Sequence, residues 1–393
     1  MAPAPTLAIA GAGIGGLTAA LALHRIGCRV ILFEREAQLT EAGAGLQLSP
    51  NASRVLIDLG LAPALSAAAA TPDSIDVIDA RTGREIVRIP LGDDIRTRYG
   101  TPYWLLHRAD LQAALLAKVE ATPGIDLRLG WQFDDVSNGA HGVIVTQRRG
   151  LSRRQDQAQA LIGADGVWSA VRGQVFPEIR TRFSHRIAWR GMIDAANVPR
   201  TFDHRRVQLW MGPDAHLVAY PMARTGNVNL VAIVNDEWRK PGWSEPGEPG
   251  EIARHFAAWH DDARAMISAV TDWRKWALFE VPGGAFTKDR VALLGDAAHA
   301  TLPFAAQGAA MAIEDAATLA RCIESQPGDL AAALRDYDNR RRGRVAQVQR
   351  TSRHNGQIYH LKGVAKFARD RSMQILGGTR LLARQDWIYR WRA

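Results

Sequence analysis

Two kinds of apolar run alternate along the chain, and their lengths and periods separate strands from helices. Leu7-Ala-Ile-Ala10 has no polar position, as a strand buried on both faces requires, and an apolar-rich segment of helical length follows from Leu17 to Ile26. Cys28 to Phe33 reads as a second buried strand. Ala52 to Leu59 has helical character, Ser74 to Pro90 alternates like a hairpin turning at Arg81-Thr-Gly-Arg84, and an amphipathic helix runs from Arg108 to near Glu120. Ile125 to Val136, Gly142 to Arg148 and Gln159 to Gly163 are predicted strands. From Phe183 to about Trp276 the period becomes two, with strands at Ile187 to Ile193, Val207 to Met211, Leu217 to Tyr220 and Val228 to Val234. An antiparallel sheet follows from that period. A buried strand and long helix return from Val291 to Ile323, and helices rich in Arg and aromatic residues occupy the chain past Arg340.

The pattern predicts an α/β protein with an inserted, antiparallel second domain. Residues 1–73, 100–180 and 280–340 form the first unit, residues 74–99 and 181–279 the inserted one, and 341–393 a C-terminal helical segment.

The turns carry the chemistry. Gly11-Ala-Gly13-Ile14-Gly15-Gly16 joins strand to helix: Gly11 permits a tight turn, Gly13 lets backbone approach a pyrophosphate, and Gly16 lets helix and strand pack closely. Glu34 ends the next strand, near the roughly 20-residue spacing of a ribose-binding acid. This is a nucleotide-binding βαβ unit. Further on, Gly163-Ala-Asp165-Gly166 precedes a helix capped by Ser169, and Gly295-Asp296 ends a strand before Pro303-Phe304-Ala-Ala-Gln307-Gly308-Ala309-Ala310-Met311 opens a helix. A helix start at Gly308 presents N–H groups to a developing anion. Arg108 either neutralises a pyrophosphate or pairs with Asp110. The small residues from Ala42 to Asn51 suit a flat ligand or a plain connection. The tryptophans of the inserted segment wall an aromatic ligand or fill a core.

Composition changes this picture little. The 393 residues, 47% hydrophobic and 23% charged, are those of an ordinary globular chain. The net charge of +9 is concentrated past Arg340, where Arg340 to Arg353 reads as a solvated helix face rather than a nucleic-acid or membrane contact. Cys28 and Cys322 match no metal spacing and suggest a reducing compartment. With no signal peptide or membrane-spanning run, a cytoplasmic protein is expected, with no metal, no nucleic acid and no membrane partner.

The three signatures in this order resemble the class A flavoprotein monooxygenases, the p-hydroxybenzoate hydroxylase and salicylate hydroxylase type, over nearly the whole chain. The resemblance implies a Rossmann-like FAD-binding domain, three-layer β/β/α, with an inserted antiparallel-sheet substrate domain and C-terminal helices. It implies FAD held by Gly11, Gly13, Ile14, Gly15 and Gly16 at the pyrophosphate, by Glu34 and Arg35 at the adenosine ribose, and by Arg108 at the phosphates. Asp165 would lie near both nucleotides, Asp296 on ribitol and pyrophosphate, Phe133 near adenine, and Pro303 with Gly308, Ala309, Ala310 and Met311 along the isoalloxazine. It further implies a single-component enzyme, monomer or homodimer. Such an enzyme uses NADH or NADPH and O2 to hydroxylate a small hydroxybenzoate-like or hydroxynicotinate-like aromatic through a flavin C4a-hydroperoxide, with or without loss of the carboxylate.

The chain departs from relatives of the family at Phe304, where several carry His, at Ala310, where others carry Asn, and at Ala219, where some carry His. Candidates for proton and substrate contacts are therefore His216, Tyr220 and Gln47, of which only His216 has an unperturbed pKa near neutral. Arg190, Tyr220, Pro303 and Phe304 are candidate substrate contacts, and Arg190 and Arg224 are each either a carboxylate partner or a surface charge. Alternative readings are an epoxidase or monooxygenase of a larger metabolite or drug, and a flavin-based sensor without turnover.

Overall fold

The computed structural model describes residues 4–39, 45–139, 142–240 and 242–393. Its first layer is a six-stranded sheet in the order Thr287–Lys288, Val291–Leu293, Ala160–Gly163, Thr6–Ala10, Arg29–Glu34, Ile125–Leu129, parallel throughout except for the two-residue edge strand. The central strand is apolar because it is covered twice: Leu7, Ala8 and Ile9 have no exposed surface. Helices Ile14–Arg25, Arg108–Glu120 and Gly308–Ser325 cover one side, and an antiparallel sheet of Gln132–Gly139, Gly142–Arg149 and Ser152–Ala158 covers the other. This is the three-layer β/β/α arrangement.

An eight-stranded sheet stands beside it, in the order Ser244–Gly247, Trp273–Glu280, Arg182–Ile193, Val228–Asn235, Ala215–Pro221, Arg206–Gly212, Ser74–Asp79, Glu85–Pro90. The sheet is antiparallel except where Arg206–Gly212 runs parallel to Ser74–Asp79. Its far face is packed by helices Pro249–His255 and Asp261–Ser268, and Trp189, Trp210, Trp259 and Trp273 belong to that core. Those four tryptophans therefore fill a core instead of walling a ligand. The near face turns toward the six-stranded unit.

Local readings differ from the structure at several places. The run Ile125 to Val136 is two strands, because Gly130 turns the chain at φ +78°. Between the predicted strands Gly142 to Arg148 and Gln159 to Gly163, where the basic stretch Arg148 to Arg154 reads as a connection, the chain forms a further strand, Ser152–Ala158. Gly45–Leu48, read as loop, is a strand paired with Trp104–His107, while Ala42 to Ala44 lie outside the described residues. Gly92–Tyr99 is an additional helix. The boundary drawn at 340 falls within one continuous helix, Leu330–Tyr359. Among the described residues no helix is long and apolar enough to cross a membrane.

Candidate active site

Four parallel strands end in step. Ala10 is in register with both Phe33 and Gly163, and Gly163 with Leu293, so Gly11, Glu34, Asp165 and Asp296 follow along one edge of the sheet. In an open parallel sheet that edge is where a ligand sits.

The glycines of the first turn divide by what a side chain would meet. Gly11 has φ +102°, and a Cβ there would lie 2.5 Å from the Ala164 carbonyl oxygen; a Cβ on Gly16 would lie 1.8 Å from the Gly11 carbonyl oxygen. Those two positions close the turn. Gly15 faces Leu294 Cδ1 at 2.7 Å and is a packing position. At Gly13 nothing lies within 4 Å of a Cβ, and this residue caps the helix Ile14–Arg25 without a side-chain acceptor. The first N–H groups of that helix therefore face open space suited to a phosphate, which is the fit that FAD requires. Ile14 itself is buried.

Glu34 reaches this turn: Oε2 accepts from the Ala12 N–H at 2.8 Å and Oε1 from the Glu36 N–H at 3.0 Å. Arg35 is exposed, 3.3 Å from Glu36. Arg108 is half-buried at the first position of its helix. Asp110 accepts from Arg224 Nη1 at 2.7 Å, so Arg224 is an exposed ion-pair partner. Phe133 is half-buried in the three-stranded layer against the main core. Asp165 spends its carboxylate locally, accepting from Ser169 Oγ at 2.5 Å and from the Ala170 and Val171 N–H groups; burial still raises its pKa. Asp296 is exposed while every other residue from Val291 to Ala300 is buried.

The turn after Asp296 is held from behind. Pro303–Ala305 forms a 3-10 turn, Ala306 takes the left-handed conformation at φ +50°, and Gln307 opens helix Gly308–Ser325. Gly308 has nothing within 4 Å of a Cβ, Ala309 is half-buried, and Ala310 and Met311 are buried. Gln307 Nε2 donates to Ser49 Oγ at 2.8 Å, and Asn51 Nδ2 donates to Gln307 Oε1 at 3.0 Å and Glu314 Oε1 at 2.6 Å. Glu314 and Asp315 have no exposed surface, and Arg341 binds both, at 2.7 Å and 2.6 Å. Arg344 adds a bond to Glu314 at 2.6 Å. Asp315 Oδ2 accepts from the Gly295 N–H at 2.8 Å and lies 2.6 Å from His299 Nε2. Burial pushes the Asp315 pKa up, but His299 and Arg341 outweigh it and hold it at about 2. Arg341 and Arg344 therefore correct the reading of Arg340 to Arg353 as a solvated face; Arg340 and Arg342 do lie on one.

The near face of the eight-stranded sheet presents three rows opposite this turn: Met192, Asn229 and Tyr220; Arg190, Val231, Val218 and Leu209; Ala188, Ile233, His216 and Met211. The Phe304 ring joins them to the turn, packing with Ala188 and Ile233 and meeting the His216 ring edge-on at 5.4 Å. Phe304 is 4% exposed and is gripped by Arg186 and by Gly356, where a Cβ would lie 2.7 Å from the ring, so it anchors the turn; Pro303 is half-buried beside it. Tyr220 packs against Gly45, whose N–H donates to Asn229 Oδ1 at 2.8 Å, and burial raises the Tyr220 pKa. Gln47 Oε1 accepts from Tyr103 Oη at 2.5 Å. The Arg190 guanidinium lies over the Trp276 ring at 5.4 Å.

His216 is corrected as a group titrating near neutrality. Its Nδ1 is 2.8 Å from His360 Nε2, and burial, then His360 and Arg186, push its pKa well below the ordinary value. The sequence reading also missed Asn229, 1% exposed with a buried Nδ2 that has no hydrogen-bond partner among the described residues. Its signal was a polar residue interrupting the apolar strand Val228–Asn235. The carboxylates Glu314 and Asp315, in an otherwise apolar helix face, carried the same signal.

A sequence profile described as an FAD binding domain matches residues 4–352. The chain is 37% identical to a 3-amino-4-hydroxybenzoate 2-monooxygenase of Streptomyces platensis over 99% of this chain and 96% of that one. It is 33% identical to a 3-hydroxybenzoate 6-hydroxylase of Klebsiella oxytoca over 98% and 96%. Among solved structures, a salicylate hydroxylase substrate complex superposes with a TM-score of 0.84 at 26% identity, covering 100% of this chain and 97% of the other.

Proposed function

Since the chain belongs to the FAD-binding family of flavin-dependent monooxygenases and is an FAD-dependent aromatic hydroxylase, we propose that it hydroxylates a small aromatic acid carrying a ring hydroxyl, an aminohydroxybenzoate, hydroxybenzoate or hydroxynicotinate. The observation that carries this reading is the near face of the eight-stranded sheet. The Arg190 guanidinium and the polar groups of Tyr220, Asn229 and His216 sit among Met192, Val218, Val231 and Ile233, beside the Pro303–Ala305 turn. An apolar floor with few polar groups suits a flat ring, and a guanidinium suits its carboxylate.

FAD would lie along the shared strand edge, with Gly13 and the helix start at its pyrophosphate, Glu34 at a ribose, Asp296 at the ribitol and Gly308 to Met311 beside the isoalloxazine. When bound and reduced by NADH or NADPH, it supplies the activation of O2 for transfer of one oxygen atom to the ring. The chain's own residues bind and orient the ring, and the near face, largely apolar, excludes water from it. Arg108 adds positive charge near the phosphates, and Gln47 with Tyr103 closes the side next to Tyr220.

The test is oxidation of NADH and NADPH by the FAD-loaded protein against hydroxybenzoates, aminohydroxybenzoates, hydroxynicotinates and uncharged phenols, with product masses. Stimulation by the acids with a gain of one oxygen, with or without loss of carbon dioxide, is expected. Stimulation by uncharged phenols alone, or by no aromatic at all, would overturn the reading and favour a larger substrate or a sensor.

A further inference from the structure

His216 is the inner end of a directed hydrogen-bond chain. Arg186 Nη1 lies 2.8 Å from His360 Nδ1, and His360 Nε2 lies 2.8 Å from His216 Nδ1. A guanidinium only donates, so His360 Nδ1 must accept; the remaining proton of His360 is on Nε2 and is donated to His216. His216 Nδ1 is thereby an acceptor, and its own proton is on Nε2, the nitrogen pointing away from His360. Reversing the chain would require Arg186 to surrender a proton, which a guanidinium does not do.

The surroundings keep both imidazoles neutral. Burial and then Arg186 push the His360 pKa down to about 4. The groups packed around the pair are Tyr359, Phe304 and Arg186, with Asp214 and Glu280 acting on Arg186 and Lys362 paired to Asp214. Arg186 is further fixed by Asn235 Oδ1 at 2.8 Å and lies over the Phe304 ring at 5.2 Å.

We propose that Arg186 and His360 are positioning residues that fix His216 as a hydrogen-bond donor, so that its Nε2–H holds an oxyanion of the aromatic substrate, phenolate or carboxylate, and His216 is not the base that deprotonates it. The substrate's ring hydroxyl loses its proton to solvent and the site takes the anion. This rests on the hydroxylase reading above. The tautomer itself can be read without turnover, so a failure to find a substrate leaves that part of the test intact.

Nitrogen-15 histidine NMR on the FAD-loaded protein, with the His216 signals assigned by their loss in His216→Gln, tests the tautomer. A protonated Nε2 and bare Nδ1, unchanged from about pH 6 to 9, is expected. A protonated Nδ1, or titration within that range, would overturn the proposal. Kinetics separate donor from base: His216→Gln keeps an N–H donor and should stay within about tenfold of the parent in kcat/KM, while His216→Leu should lose about a hundredfold. Equal losses in the two would overturn the donor role. His360→Phe should raise KM about tenfold with a smaller change in kcat, since His216 stays buried but loses the donor that fixes its tautomer. FAD content and thermal midpoint are measured for each variant. Should His216→Leu fail to hold FAD, His216→Gln and His360→Phe decide: a hundredfold loss in the former, or an unchanged KM in the latter, overturns the proposal.

Discussion

Substituting Gly13 and Gly16 should separate ligand binding from folding. A Cβ on Gly16 would fall on the Gly11 carbonyl oxygen, so Gly16→Ala must break the turn itself, whereas Gly13 borders open space. Gly13→Val is expected to shift the thermal midpoint of the apoprotein by less than about 4 °C while lowering FAD affinity about a hundredfold. Gly16→Ala should lower both, and titration of apoprotein with FAD beside apoprotein melting distinguishes them. These positions were legible in the sequence because turn geometry is a local property of backbone and spacing, and Glu34 followed as the residue ending a buried strand and Asp296 as one three positions past the end of another. The protonation of His216 was not legible. It is set by His360 and Arg186, which sequence places far from it and only the fold brings to its ring.

At the scale of elements, helix Gly308–Ser325 depends on carboxylates that it buries without exposure. Arg341→Met would leave Glu314 and Asp315 short of their main cation, at a cost of about 3 to 5 kcal/mol read from denaturant melts near neutral pH. The native pKa of Asp315, about 2, lies below its unfolded value of about 3.9. Its contribution to stability is therefore complete above about pH 4 and fades as pH falls toward about 2. Asp315→Asn should flatten that acid limb, seen as a smaller difference between melting midpoints at about pH 3 and 7. Periodicity located this helix and the alternating strands, since half-buried elements repeat by their own geometry. It did not resolve Ser152–Ala158, whose exposed polar residues form a strand only because Gly142–Arg149 offers a partner.

At the scale of the whole molecule, the eight-stranded sheet is assembled from two segments widely separated in sequence, and helix Gly363–Ala383 packs across its Glu85–Pro90 edge. A Cβ on Gly378 would lie 1.7 Å from the Arg88 carbonyl oxygen, beside the non-helical Gly377 at φ +70°. Gly378→Val should lift the helix from that edge and lower the melting midpoint by about 2 to 4 °C or more. The inserted sheet was visible as a change of period, but its order was not, because strand neighbours are chosen by tertiary packing. Leu330–Tyr359 links the two halves: Arg341 grips the carboxylates behind the Pro303–Ala305 turn, and His360 at the far end bonds to His216. The helix is thus a strut of about 28 Å between those two residues. Lengthening it by one residue between them would rotate His360 by about 100° about the helix axis and throw the two ends out of phase, leaving each local site chemically intact but wrongly aimed.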